Sequence, residues 1–313
     1  MNWDLIFWNA LYTAINAAAA GYCIISAGLN VHVGYTGLLN FGQAGFMAIG
    51  AYSMSLLVVE QGWPLPAAIP IAIAAAVLAA LLVGAPSLRL RSDYFAIATI
   101  AFAEIVRYVF QNAEFAGGNQ GMIGYDQGWR NFAGWLSSTL APWGIGNPQL
   151  PLLLAIWIFF LAALVALDAL EHTPWGRILK GVREDEDAVS ALGKNVLAYK
   201  LQSFAIGAAL GAISGIFLAL NVTYLYPGEF DPTVTFFAYS VLILGGFASY
   251  WGIVIGTLLF WTIMEGLRFI HLPLSTNQLG SLRLVLVGLI LVILMRLRPQ
   301  GLVGRKAEMQ SRQ

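Results

Sequence analysis

Residues 150–170 read Leu150-Pro151-Leu152-Leu153-Leu154-Ala155-Ile156-Trp157-Ile158-Phe159-Phe160-Leu161-Ala162-Ala163-Leu164-Val165-Ala166-Leu167-Asp168-Ala169-Leu170. One ionisable side chain, Asp168, interrupts the run. As a helix it spans about 30 Å, the thickness of the hydrocarbon core of a bilayer. A helix at a protein–water surface keeps a polar face. This one is apolar all round, so it reads as a membrane span.

Comparable runs lie near 9–31, 39–59, 66–88, 94–111, 201–222, 233–250, 252–270 and 279–297. With 150–170 they predict nine spans, within a range of 8 to 10. The segments 39–59 and 233–250 are rich in Gly and small polar residues, so each is a candidate broken or re-entrant helix. Composition agrees. Of 313 residues, 59% are hydrophobic and 10% charged, where a soluble domain carries about 45–50% and about 25%. The expected fold is an all-α, polytopic transmembrane helical bundle forming one membrane domain over residues 1–313. The zero net charge gives no sign of a nucleic-acid partner, and the partner of most of the surface is expected to be lipid. Met1 to Asn9 contain no Lys or Arg, so the first run is expected to be a retained span rather than a signal peptide. The single cysteine, Cys23, cannot form an internal disulfide and reads as a small apolar helix residue.

Orientation follows from the basic residues. Alternating sides across nine spans puts Arg89, Arg91, Arg177, Lys180, Arg183, Lys194, Lys200, Arg296, Arg298, Arg305, Lys306 and Arg312 on one face. Only Arg107, Arg130, Arg268 and Arg283 fall on the other. The asymmetry predicts a cytoplasmic C-terminus and an external N-terminus. It also makes residues 171–200 a cytoplasmic loop and residues 112–149 an external one.

The cytoplasmic loop is the most informative polar stretch. From Arg183 onward the sequence predicts a short amphipathic helix, with Glu184, Asp185, Glu186 and Asp187 in its first turn, where the helix dipole favours acids. Ala188, Ala191 and Leu192 form a small apolar stripe, and Gly193 suits the stop. A helix this short does not stand alone in water. It is expected to pack against something, and a cytoplasmic motor subunit would fit the groove-filling shape. Arg183, Glu184, Asp185, Asp187, Ala188, Ala191 and Gly193 are the candidate coupling residues.

Five stretches carry a family resemblance: Gly34-Tyr35-Thr36-Gly37-Leu38-Leu39-Asn40-Phe41-Gly42-Gln43-Ala44-Gly45-Phe46; Leu88-Arg89-Leu90-Arg91-Ser92-Asp93-Tyr94-Phe95, running on to Glu104 and Arg107; the loop Arg183 to Gly193; Leu244-Gly245-Gly246-Phe247-Ala248-Ser249-Tyr250-Trp251-Gly252; and Arg298-Pro299-Gln300-Gly301-Leu302. In this order they resemble the M-type membrane subunit of bacterial branched-chain amino acid ABC importers. Three positions depart from the family pattern, with Ala248 and Ser92 in place of glycines and Ile253 in place of a proline. The resemblance implies a multi-pass subunit of the bacterial inner membrane. It implies four kinds of neighbour: a homologous H-type permease, two cytoplasmic ATPases, a periplasmic substrate-binding protein and membrane lipid. ATP would be used by the ATPases, with no cofactor in this chain.

For the substrate pathway the candidates are Asn40 and Gln43, which share a helix face at i, i+3; Glu104, an ionisable residue inside a span; and Gly245 and Gly246, a seam or a helix break. Arg107 at i, i+3 from Glu104, and Arg268 at i, i+3 from Glu265, read as structural partners. His32, His172 and His271 have no metal-ligand spacing, and no phosphate-binding Gly-x-x-x-x-Gly-Lys-Ser/Thr loop is present. The chain is therefore expected to be a non-catalytic permease. A urea or short-chain amide permease of the same superfamily, and an ion-coupled secondary transporter using Glu104, are the alternatives.

Overall fold

The computed structural model describes residues 15–143, 147–266, 276–297 and 301–303. Arg268, His271, Arg298, Pro299, Gln300 and the tail residues Arg305, Lys306 and Arg312 lie outside them.

Among the described residues the regular structure is helical, apart from a two-residue pairing of β1 (Met122–Ile123) with β2 (Tyr224–Leu225). The first long helix among the described residues is α1 (Ala17–Leu29), which runs into a π-helical stretch, Asn30–Thr36. There follow α2 (Gln43–Val59), α3 (Leu65–Ser87), α4 (Ser92–Asn112), α5 (Gln127–Leu140), α6 (Leu150–Glu171), α7 (Pro174–Glu184), α8 (Glu186–Ala191), α9 (Val196–Asn221), α10 (Thr233–Gly245), α11 (Tyr250–Gly266) and α12 (Thr276–Leu297). Among the described residues, four helices are long and apolar enough to cross a membrane: α1 with its π extension, α3, α6 and α9. Their burial sorts them. The apolar stretches of α1 and α9 are 72% and 67% buried, against 28% and 33% for α3 and α6. The first two therefore form the centre, and the other two present most of their surface outward.

The two segments with weak span patterns are both interrupted. The chain runs without helix from Gly37 to Gly42 before α2 begins. Gly37 makes the turn at φ +73, a conformation that glycine adopts without steric cost. Farther on, α10 has 13 residues, about 20 Å and too short to cross alone. It turns by 114° into α11. Gly245 and Gly246 make that break. A Cβ on Gly245 would lie 1.8 Å from the Gly252 carbonyl oxygen, and Gly246 sits at φ 110. Ala248, which stands where the family pattern has glycine, is held at φ +55. Its amide is fixed by the Asn30 Oδ1 acceptor at 2.8 Å. Residues 301–303 return to the same place, where the amides of Leu302 and Val303 bond the carbonyls of Leu244 and Gly245.

The packing of α2 on α9 is close enough for backbone to meet backbone. Gly207, Gly211 and Gly215 recur every four residues along α9, and a Cβ on Gly215 would come within 2.1 Å of the Met47 carbonyl oxygen. Small residues at this spacing let two backbones touch, which is how helices hold together where both are already in an apolar solvent.

Candidate functional site

A buried polar node lies where the π stretch, the break before α2 and the middle of α9 meet. Each π turn leaves carbonyls without their usual helical partners. The Thr36 hydroxyl stands 2.9 Å from Val31 O, 2.8 Å from His32 O and 2.8 Å from Ser203 Oγ. Asn40 Nδ2 donates to His32 Nδ1 at 3.2 Å and to Gln43 Oε1 at 2.9 Å. Gln43 Nε2 donates to Gly207 O at 2.7 Å, and His32 Nε2 lies 3.2 Å from Phe204 O. This network assigns the proton of a neutral His32 to Nε2. Asn40 Oδ1 accepts from the Gly42 amide at 2.9 Å, and Tyr239 donates to the Asn40 carbonyl at 3.0 Å.

Asn40 and Gln43 do share a face, but it turns inward. Both side chains are 0% exposed, and each is held by bonds within the chain. They are sealed into the protein here rather than open to a path. The physical reason is the break itself: an unwound segment inside a membrane must find partners for its backbone groups from protein side chains. Asn40→Ala leaves the Gly42 amide, Gln43 Oε1 and His32 Nδ1 without this partner. The expected cost is about 2–4 kcal/mol, seen as a lowered melting temperature of the purified protein, whereas a change at exposed Leu82 should leave it unmoved.

The second polar feature is on α4. Arg107 Nη2 lies 2.6 Å from Glu104 Oε2, with side chains 18% and 27% exposed. The predicted i, i+3 pair is thus formed, and it is open on one side. Past it, the loop before α10 packs Phe230 into the core, while Asp231 accepts from the Thr233 amide at 2.9 Å. Bonds from the Thr233 hydroxyl and amide hold the Asp231 carboxyl below its usual range. Burial pushes the Glu229 carboxyl upward, against a bond from Tyr226.

The third feature is the α7–α8 pair, and here the sequence reading needs correction. The predicted single helix from Arg183 is two helices. Arg183 and Glu184 close α7, and Asp185, in extended conformation at φ −154, separates it from α8. Asp185 is the N-cap: its carboxylate accepts from the amides of Asp187 at 3.0 Å and Ala188 at 2.9 Å. Only Glu186 and Asp187 occupy the first turn. A signal for α7 was present in Thr173-Pro174, since proline favours the first helical position. The stripe on α8 is also rotated from a packed position. Val189 is the buried anchor, while Ala188, Ala191 and Leu192 are exposed, Leu192 at 80%. Gly193 ends the helix as expected, at φ +76.

The pair is wired into the membrane part. Arg183 Nη1 donates to the Gly34 carbonyl in the π stretch. Lys180 pairs with Glu171 at 2.5 Å, and Tyr35 donates to the same carboxylate at 2.7 Å. Glu186 pairs with Lys200. A cavity of about 290 Å³ at this end is lined by Arg91 and Leu88 as well as Arg183, Glu186 and Lys200. The Arg89–Arg91 turn and the α7–α8 pair therefore share one end of the bundle, as the basic-residue pattern requires. Among the described residues, no group of three His, Cys, Asp or Glu is placed to hold a metal.

Residues 11–295 match the family described as branched-chain amino acid transport system / permease component. The chain belongs to this permease family. It is 31% identical over 298 residues to the high-affinity branched-chain amino acid transport system permease protein LivM of Escherichia coli, covering 90% of this chain and 67% of that one. It is 28% identical to the probable LivM permease of Methanocaldococcus jannaschii, covering 91% of each chain. It is also 25% identical to LivH of Escherichia coli, covering 96% of each. No solved structure matches. The protein is thus a multi-pass membrane permease component, and the likeness to both LivM and LivH places it among homologous permeases of two types.

Proposed function

We propose that this permease is one of two membrane subunits of an ATP-binding cassette importer that carries branched-chain amino acids into the cell. The observation that carries the reading is the α7–α8 pair. It projects an exposed apolar stripe, Ala188, Ala191 and Leu192, while its other end grips the π stretch through Arg183 and Gly34. Such an element has one side for a partner and one for the membrane core. The partners implied are an H-type permease, two cytoplasmic ATPases beneath α8 and a periplasmic binding protein at the opposite end. The basic end, carrying Arg89, Arg91 and the α7–α8 pair, then faces the cytoplasm, together with the C-terminus.

The relay inward is short. A push on α8 reaches Gly34 through Arg183. From the π stretch it reaches Ala248 through Asn30, and the break before α2 through His32 and Asn40. Both broken segments, the one ending at Gln43 and the one at Gly245–Gly246, are thereby tied to the coupling pair. Glu104 remains the residue proposed to meet substrate, and Asn40 and Gln43 shape the path rather than line it. ATP hydrolysis takes place on the partner subunits.

The test is Leu192→Glu in the assembled transporter. Placing a charge in a desolvated contact should cut ATP-driven leucine uptake about tenfold or more, with the membrane level of the subunit unchanged. Uptake at the unaltered level would show that α8 touches no motor.

A further inference from the structure

The break between α10 and α11 is held from two sides. α10 stops at Gly245, so its last carbonyls have no partner along their own helix. Residues 301–303 supply two. The Leu302 amide donates to Leu244 O at 3.1 Å, and the Val303 amide donates to Gly245 O at 3.0 Å. Gly301 is buried at φ +76, and a Cβ on it would lie 2.5 Å from both Cα and N of Gly246. The Leu302 side chain is 41% exposed, so main chain rather than side-chain packing makes this attachment. The helix before it is anchored as well: Val287 of α12 joins Val241 and Leu244 of α10 and Phe260 of α11 in one buried cluster. The other holder is the π stretch. Asn30 Oδ1 accepts from the Ala248 amide, a Cβ on Gly34 would lie 3.0 Å from Ala248 N, and the rings of Tyr35 and Tyr250 are 5.9 Å apart. Arg183 bonds Gly34 O, and Tyr35 shares the Glu171 carboxylate with Lys180. The Ala248–Tyr250 side of the break is thus tied to the α7–α8 pair, and the Leu244–Gly245 side to residues 301–303.

A few residues at the end of an element can absorb the backbone change of a hinge, and paired glycines do so at little steric cost. A displacement applied to one side of a hinge alters its angle only when the other side is held. With neither side fixed, both helices move together. We infer that Gly301, Leu302 and Val303 are positioning residues for transport. They fix the end of α10, so that movement of the π stretch bends the α10–α11 break instead of shifting the two helices as one. They act through the carbonyls of Leu244 and Gly245, not through contact with substrate. The inference rests on the proposed function above and adds to it the fixed point against which the coupling pair works.

The experiment uses the complete transporter in proteoliposomes, with its binding protein and radiolabelled leucine. Two variants detach the segment by different routes. Leu302→Pro removes the amide donor, and Gly301→Val drives a side chain into the Gly246 backbone. Leu302→Ala keeps the amide and is the control. Leaving a buried carbonyl unpaired shifts an equilibrium by about tenfold. Leucine uptake should therefore fall about tenfold in the first two variants while ATP hydrolysis continues, so that ATP consumed per leucine rises by the same factor. Leu302→Ala should stay within about twofold of the original on both counts. Uptake within about twofold of the original in Leu302→Pro and Gly301→Val would overturn the inference. So would uptake and hydrolysis that fall together with ATP per leucine unchanged, which is the mark of lost folded protein alone. A second measurement needs no variant. Hydrogen–deuterium exchange on the unaltered transporter should find the Leu302 and Val303 amides protected at least about tenfold relative to the unfolded chain, and exchange at the unprotected rate would contradict the attachment. If the unaltered transporter moves no branched-chain amino acid at all, the fault lies with the proposed function; if it moves leucine and the two variants keep its ATP cost, only the positioning role is wrong.

Discussion

Gly215→Leu is expected to abolish the assembled permease. A Cβ there would meet Met47 O at 2.1 Å, Met47 C at 2.7 Å and Met47 Cα at 2.8 Å, all backbone atoms. Backbone inside a helix cannot rotate aside as a side chain can, so α2 and α9 must separate. Separation also pulls Gln43 Nε2 from Gly207 O, now 2.7 Å apart, and leaves both buried without partners. Overpacking and the lost bond together cost about 3–5 kcal/mol, a large part of the stability of an ordinary domain. Size-exclusion chromatography of the solubilised protein should show loss of the main species. Gly288→Leu is the matched control, because nothing lies within 4 Å of its would-be Cβ. Equal behaviour of the two variants would show that the α2–α9 contact does not hold the bundle.

Arg183→Gln is the second large effect, and it falls on transport rather than on folding. The guanidinium bond to Gly34 O joins α7 to the π stretch. Glutamine is shorter and uncharged, so it neither reaches as far nor bonds as strongly. Charged hydrogen bonds are worth about 1.5–3 kcal/mol, so the coupled step should slow by about 10- to 100-fold. ATP hydrolysis by the assembled transporter should continue, because the α8 surface is untouched. The signature is therefore uptake lost with hydrolysis retained. Uptake within about twofold of normal would remove Arg183 from the relay, since loss of a bond worth even 1.4 kcal/mol gives about tenfold.

How far the sequence showed this in advance depended on where each residue's partners lie. The runs that became α3, α6 and α9 were plain because they are apolar on all sides, a property of composition alone. The breaks near residues 39–59 and 233–250 were legible from their glycines. The Glu104–Arg107 pair was legible because i, i+3 neighbours on a helix must meet. The π stretch was not, since its stability comes from Ser203 and Phe204, more than 160 residues away in sequence. His32 illustrates the same limit. Its spacing from other histidines excluded a metal site, yet the side chain is the hinge pin between α1, the α2 break and α9. The Gly207–Gly211–Gly215 line is a four-residue repeat in the sequence, but glycine spacing acquires meaning only beside a partner helix. The α7–α8 boundary turns on a local point that four consecutive acids hide: the Asp185 side chain caps the next helix rather than standing in its first turn.

As proposed, this permease moves branched-chain amino acids only as part of an ATP-driven assembly. The direct measurement is leucine uptake into proteoliposomes that contain this chain, an H-type permease, the two ATPases and the binding protein, with each component omitted in turn. Uptake should need ATP, disappear when this chain is left out, and survive collapse of the ion gradients. Uptake by this chain alone, abolished by an uncoupler and indifferent to ATP, would contradict it.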